Sequence, residues 1–416
     1  MSQTRRIGLS LGADHCWPAC YEEIVRTLNL SLPLGADTVD FAVERVRVEP
    51  FDLAAPKKYD LVLDRITHWF PTTREWVKKI ALDGTYVLNN PWMIQSAEKH
   101  TTYVAMMRLG FPIPSTWMLP PKQYPDEPDT NTTVRRYNKL FSLESVGNDV
   151  GYPSFMKPYD GGAWRGVNKV DDLKGMHKSY DESATQVMHV QKAVDNWDLF
   201  VRAIGIGPQV NCIKYDPAAP LHARYVVDFN FMDSAGWQTM QRYARVINAF
   251  FCWDYNSCEA LRSNGVFHPI DFANACPDSQ VTSLHYHFPW TVRSLVAWSL
   301  FAAYTRRKPR INPNWQPYFD IADQTELPFE EKLARYDALA RDYFEAERFE
   351  EFRRTHLKNL DEVCIAFFRT ERAKEITREK VAMLFPKHEV EEFTEHFYGL
   401  VQFWCKTEAE RLEKSV

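Results

Sequence analysis

The chain has 416 residues, 45% of them apolar, with 13 Trp, 19 Tyr and 26 Phe, which excludes an intrinsically disordered polypeptide and leaves room for about two to four domains. A net charge of −5, from 50 basic and 55 acidic side chains, gives no field to attract nucleic acid or an anionic membrane; 8 cysteines are too sparse for a disulfide scaffold. MSQTRR runs into a strand-like IGLSLG, not an apolar signal core, and SLVAWSLFAAY at 294–304 is too short to span a bilayer, so the expected compartment is cytoplasmic.

In chain order, RIGLSLG predicts a strand, ACYEEIVRTLN a helix, and TVDFAVERVRV a strand with Val39, Phe41 and Val43 on one face. YDLVLDRI predicts a further strand, TTREWVKKIALDG a helix ended by Gly84, and TYVLNNP a strand ended by Pro91. Such alternation predicts an open α/β sheet. Ser96 is a candidate cap for a helix from Ala97 to about Leu109, which puts Lys99 in the first turn. Its charge opposes the helix dipole there, a misfit relieved if Lys99 faces an anion; a solvated lysine is the alternative.

LPPKQYPDEPDTNTT at 119–133, rich in proline and acid, predicts an exposed connection between two lobes. GYPSFMKP, VNKV and TQVMHVQKAV then predict strands, with an aspartate-capped helix at DDLKGMHKSYDES, making a small α+β lobe. From 196 to 305 the expected elements are strands LFVRAIGIG, QVNCIKYD and ARYVVDF, a helix through MQRYARVINAFF, and a hairpin. Arg306, Arg307, Lys308 and Arg310 suit the negative end of the preceding helix, with a polyphosphate or nucleic-acid patch as the alternative. After the Pro-rich stretch that follows, residues 328–416 repeat apolar positions at helical spacing.

Two stretches carry candidate chemistry. In KPYDGGAWRGVNK, Gly161 and Gly166 have P-loop spacing, but Val167 and Asn168 stand where that motif needs Lys and Ser or Thr. The kinase signatures H-R-D and D-F-G are absent from the chain. What remains is a glycine-rich turn whose N–H groups, with Lys157 at its mouth, suit phosphate oxygens; an ordinary hairpin is the alternative. In DYNSCEALRSNGVFHPIDFANACPD, a turn at Asn264-Gly265 would bring Glu259 near Asp271, with Asn274 three residues on. Two carboxylates and an amide oxygen are hard ligands suited to Mg²⁺; unrelated surface acids are the alternative. Cys16, Cys20, His15, His285 and His287 lack partners at zinc-site spacing, and the G-I-G at 205–207 precedes no helix.

This order of parts resembles an ATP-grasp enzyme with a glutathione synthetase-like ATP-binding domain, over about residues 1–305. The resemblance implies an α/β and α+β ATP-grasp fold. Its parts would be an N-terminal open α/β domain at 1–99, a small glycine-loop lobe at 100–190 and a larger metal-bearing lobe at 191–312. The all-helical extension at 328–416 lies outside it. Residue by residue, it implies that Lys99 and Lys157 hold nucleotide phosphates and that Gly161, Gly162 and Gly166 belong to the covering loop. Gln191, Lys192, Ala193 and Val194 match the adenine hinge, Asp198 the ribose acid, and Glu259, Asp271 and Asn274 the metal ligands. The family's Glu-x-Asn is here Asp271-Phe-Ala-Asn274, so either a β-bulge re-aims the strand or one ligand is misassigned. The family arginine before the first metal carboxylate is absent, position 257 being Ser; Arg224 is the expected substitute, with Arg165 and Arg245 behind it.

The implied activity is that of a carboxylate–amine ligase acting through an acylphosphate, with catalytic cations Lys157, Arg224 and Arg165. ATP and Mg²⁺ are the implied cofactors, two ions, with Mn²⁺ as an alternative. The substrates would be a small-molecule or peptide carboxylate and an amine. An ATP-grasp kinase acting on a hydroxyl and a non-catalytic ATP-binding scaffold stand as alternatives. Arg65, His68 and the loop from Asp14 to Cys20 are nominated for substrate, with a structural ion pair as the other reading of Arg65. The helical extension is open to covering the site, forming a homodimer or binding a partner.

Overall fold

The computed structural model describes residues 2–67, 70–96, 98–159 and 165–414 as a mixed α/β protein with three sheets and a helical C-terminal region. The first sheet is formed by β1 (Ser2–Ser10), β2 (Ser31–Leu34), β3 (Asp37–Arg45), β4 (Leu61–Asp64) and β5 (Tyr86–Leu88), in the order β2-β3-β1-β4-β5. β1 lies parallel to both β3 and β4, and β4 parallel to β5. The helix Cys16–Leu28 covers it, burying Trp17, Cys20, Tyr21, Ile24 and Leu28 at helical spacing. β2, which the sequence pattern does not predict, is four residues long, contains Pro33 and pairs antiparallel with β3 alone. A proline is tolerated on such an edge because the missing N–H faces outward.

The second sheet is antiparallel: β6 (Thr116–Leu119), β7 (Ser154–Pro158), β8 (Asn168–Val170) and β9 (Met188–Lys192), in the order β6-β9-β7-β8. One face, with Met156 and Val190, packs into a separate small core with Val170 and Met176. The expected connection at 119–133 instead begins at the end of β6 and enters a helix, Pro128–Tyr137, none of whose residues is buried. Its prolines sit before the helix and at its first position, where a missing N–H costs nothing. The helix predicted from Ala97 begins at Lys99 behind Glu98, and Ser96 ends the preceding helix instead of capping this one.

The third sheet, also antiparallel, has the order β12-β11-β10-β13-β14, formed by β10 (Leu199–Ile206), β11 (Gln209–Tyr215), β12 (Tyr225–Val226), β13 (Tyr255–Ser263) and β14 (Val266–Asn274). Asn264 and Gly265 turn β13 into β14 with φ of 51° and 78°, the geometry their dipeptide favours. Gly207 has a plain packing role in the β10–β11 turn. At φ 56°, an added Cβ would lie 2.4 Å from the Trp298 ring.

The C-terminal helices, among them Phe329–Tyr343, Ala346–His356, Leu360–Phe368, Glu371–Ala382 and Val390–Glu413, continue the main core. Tyr336, Phe344 and Phe349 belong to the same buried cluster as Tyr21, Tyr103 and Trp298. Arg245 makes a two-pronged bond to Asp337, 2.7 and 3.0 Å, which ties it to the helical region. Arg307 reaches Tyr86 Oη at 2.9 Å and Glu345 at 2.7 Å, so this part of the basic cluster serves as a tie between the first sheet and the extension. Asn89 joins the first sheet to the third: its amide donates to the carbonyls of Tyr255 (2.7 Å) and Ala275 (2.6 Å) and accepts from Tyr255 N at 2.6 Å. Among the described residues no helix is long and apolar enough to cross a membrane.

Candidate active site

One face of the third sheet carries a row of charges in strand register. Arg202 on β10 pairs with Glu259 on β13, and Glu259 pairs with Asp271 on β14. Directly opposed residues project to the same face, so the three side chains share one surface. Arg202 donates to Glu259 and to Tyr225 Oη, and its guanidinium lies over the rings of Tyr215 (4.8 Å) and Tyr225 (5.3 Å). Glu259 and the tyrosines hold Arg202 firmly charged against the cost of its burial.

Asp271 Oδ2 accepts a hydrogen bond from Lys99 Nζ at 2.8 Å. Asp271 Oδ1 is shielded from solvent and has no hydrogen-bond partner among the described residues. Burial pushes this carboxyl up, but Lys99 in contact, with Lys157 and Arg202 nearby, leaves it below the usual carboxylate range. Lys99 therefore faces an anion, as one of its two sequence readings expects.

The spacing Asp271-Phe-Ala-Asn274 is accommodated by a register shift. Ser257 pairs with Asn274 while Glu259 pairs with Asp271, so β14 spends three residues where β13 spends two. The bulge turns Phe272 into the core, fully buried, and returns Asn274 to the side of Asp271. Asn274 Nδ2 approaches Ser257 O at 3.4 Å, and its N–H donates to Asn256 Oδ1 at 2.9 Å.

Lys157 reaches across from the second sheet. Its Nζ donates to Gln191 Oε1 at 2.9 Å and to Ile270 O, the carbonyl just before Asp271, at 3.4 Å. Burial lowers its pKa to about 8; Lys99 pushes the same way, while Asp271 and Glu259 oppose. Gln191 Nε2 donates to Thr116 Oγ1 at 3.0 Å, and Tyr103 Oη donates to Ile270 O at 2.8 Å. Gln191 thus orients Lys157.

The remaining sequence-predicted residues are more dispersed. In the hinge segment, Lys192 N donates to Ser115 O (2.8 Å) and Ala193 N to Pro153 O (3.1 Å), Lys192 Nζ donates to Tyr152 O (2.8 Å), and Val194 packs on the main core. Asp198 is exposed and bound by Arg262 through both oxygens, at 3.0 and 2.6 Å. Arg224 Nε donates to Ala219 O at 3.0 Å, so the arginine in contact with Glu259 is Arg202, not Arg224. Arg165 is exposed and Gly166 has φ 71°. Gly161, Gly162, Trp164 and His68 lie outside the described residues.

Arg65 is buried, donating to Asp14 (2.9 Å), Pro277 O (2.7 Å) and Ser279 Oγ (3.0 Å), so its structural ion pair is present. It lines a small enclosed cavity with Trp17, Asp64, Asn89 and Tyr255.

Sequence reasoning missed Arg202, although a signal existed. LFVRAIGI places one charge in an otherwise apolar strand, which demands a buried partner.

No family profile matches the chain. No curated protein matches it in sequence. Among solved structures it is similar to an ATP-grasp RimK domain protein from Sphaerobacter thermophilus, with 13% identity, TM-score 0.48, and coverage of 71% of this chain and 99% of that one. D-alanine–D-alanine ligase from Bacillus anthracis, complexed with ATP, is similar at 11% identity and TM-score 0.47, covering 74% of this chain and 99% of that one. The macrocyclase MdnC from Microcystis aeruginosa, bound with precursor peptide MdnA, is similar at 10% identity and TM-score 0.48, covering 72% and 100%.

Proposed function

We propose that the protein is an ATP-dependent ligase of the ATP-grasp type that joins a carboxylate to an amine. A substrate carboxylate would take the γ-phosphoryl group of ATP, releasing ADP, and an amine would then displace phosphate from the acylphosphate to leave an amide. The observation that carries the reading is Asp271 Oδ1, a buried carboxylate oxygen without a partner among the described residues, in the middle of the row Arg202–Glu259–Asp271–Lys99. An orphaned buried acceptor costs about 1–3 kcal/mol, more when charged, unless a ligand completes it.

The residues fit Mg²⁺: Glu259, Asp271 and Asn274 offer hard oxygens on one face, and these would hold it. Bound there, the ion would neutralise phosphate charge during transfer. The chain's own part is mainly electrostatic. Three cations, Arg202, Lys99 and Lys157, stand against two carboxylates, a surplus that attracts a polyphosphate. Arg202, held over two tyrosine rings, would set its guanidinium charge against the transferred phosphoryl group. Lys157, oriented by Gln191, bridges the second and third sheets.

The test is a phosphate-release screen over pairs of carboxylates and amines, amino acids and short peptides included. ADP, free phosphate and amide in equal amounts support the ligase. A stable phosphorylated product would make the protein a kinase, and Mg²⁺-independent ATP binding without any turnover would make it a scaffold.

A further inference from the structure

Two histidines that the reaction above does not use meet at one face of the second sheet, His189 on β9 and His100 on the helix Lys99–Arg108. Along β7 and β9, Phe155 pairs with Gln191 and Lys157 with His189, so His189, Gln191 and Lys157 project to one face while Met156 and Val190 fill the core on the other. His189 is fully buried, and neither of its ring nitrogens has a hydrogen-bond partner among the described residues. His100, in the first turn of the helix Lys99–Arg108, meets it edge-on with ring centroids 5.1 Å apart and stacks on Tyr159 at 6.1 Å. His100 Nε2 is also shielded and without a partner among the described residues.

A buried histidine used only for packing normally finds at least one polar partner. Here three ring nitrogens without a partner among the described residues gather near the two ammonium groups of Lys99 and Lys157, a setting that repels cations. The two ammonium groups would draw an oxygen-rich anion here, and it would accept the one N–H of each neutral ring. We propose that His189 and His100 donate ring N–H bonds to the diphosphate portion of a nucleoside di- or triphosphate held by Lys99 and Lys157, an inference that rests on the nucleotide reading above.

Both imidazoles are suited to this as neutral donors. Burial drives the pKa of His189 down to about 2, with Lys157, His100 and Lys99 pushing the same way, and burial lowers that of His100. A neutral ring supplies one N–H without adding charge beside the lysines. The register also separates this role from adenine recognition. His189 stands opposite Lys157, whereas Lys192, in the hinge segment, stands opposite Ser154 at the other end of β7.

The experiment is a calorimetric titration of the full chain with Mg·ADP and, separately, adenosine, for wild type, His100→Leu, His189→Leu, His189→Asn and His189→Gln. The expected result is ADP binding by wild type that is about 10- to 100-fold weaker in the two leucine variants, the range for one hydrogen bond to a charged group, with adenosine affinity unchanged. At least one of the amide variants, which keep an N–H near a ring-nitrogen position, should recover most of it. Wild-type ADP affinity in His189→Leu overturns the inference. So does an equal loss of adenosine binding, which would place the histidine at the base, or equal weakness of all three His189 variants with lowered melting temperature, which would make it structural. A wild type that binds no ADP overturns the nucleotide reading and this inference with it.

Discussion

Arg202 and Glu259 stand directly opposite each other on β10 and β13, in contact, with side chains only 16% and 8% exposed. Removing one member of such a pair strands a buried charge, so Arg202→Met is expected to cost about 3–5 kcal/mol of stability. Arg202→Lys keeps the charge but not the planar fork. That variant is expected to remain folded yet to lose about 30- to 1000-fold in ATP turnover, about 2–4 kcal/mol of transition-state stabilisation. Melting curves beside an ADP-release assay separate the two effects, and normal turnover in Arg202→Lys removes Arg202 from the chemistry.

The Lys99–Asp271 contact sets an acid-side prediction. Asp271 has a folded pKa below its unfolded value of about 3.9, so its contribution to stability is present above that pH and disappears as pH falls through the folded value. Lys99→Met removes the chief cause of the depression and leaves the burial that opposes it. The acid-unfolding midpoint of this variant is expected at higher pH than in wild type, as read by circular dichroism.

Lys157 sets an alkaline-side prediction. Its folded pKa of about 8 lies below the unfolded value of about 10.4, so in the window between them the unfolded chain binds more protons and this group's penalty on stability lessens as pH rises. Nucleotide binding should do the opposite, because only the protonated ammonium pairs with phosphate. ADP affinity is expected to weaken above about pH 8, with proton uptake on binding visible as a buffer-dependent enthalpy. In Lys157→Met both signatures should vanish.

The helical extension shares the main core and holds Arg245 through Asp337, whose side chains are 13% and 12% exposed. Asp337→Asn is expected to lower stability by about 3–5 kcal/mol by leaving Arg245 unpaired. Deleting 328–416 would expose the faces that bury Tyr336 and Phe344, and the shortened chain is expected to aggregate. A soluble, cooperatively unfolding 1–327 fragment would contradict that.

Much of this architecture was legible in sequence because its signals are local. Asn264-Gly265 specified the hairpin that pairs Glu259 with Asp271, and the alternation of RIGLSLG, ACYEEIVRTLN and YDLVLDRI specified the first sheet. The edge strand SLPL was missed because four residues with a proline carry no period-two pattern. Arg202 was missed for a different reason: its partner is 57 positions away, and only strand register brings the two together. The two readings of Asp271-Phe-Ala-Asn274 were inseparable in sequence, since a bulge is a relation between two strands. His189 gave no local sign, because an orphaned nitrogen is defined by what surrounds it.

The central claim is that Glu259, Asp271, Lys99 and Lys157 together hold a magnesium nucleotide. It is tested most directly by calorimetric titration of wild type and Asp271→Asn with a non-hydrolysable ATP analogue, in excess Mg²⁺ and again in EDTA. The account predicts tight binding by wild type that weakens in EDTA, and weak binding by Asp271→Asn that is the same in both buffers. Absence of wild-type binding, or an unchanged magnesium dependence in Asp271→Asn, would contradict it.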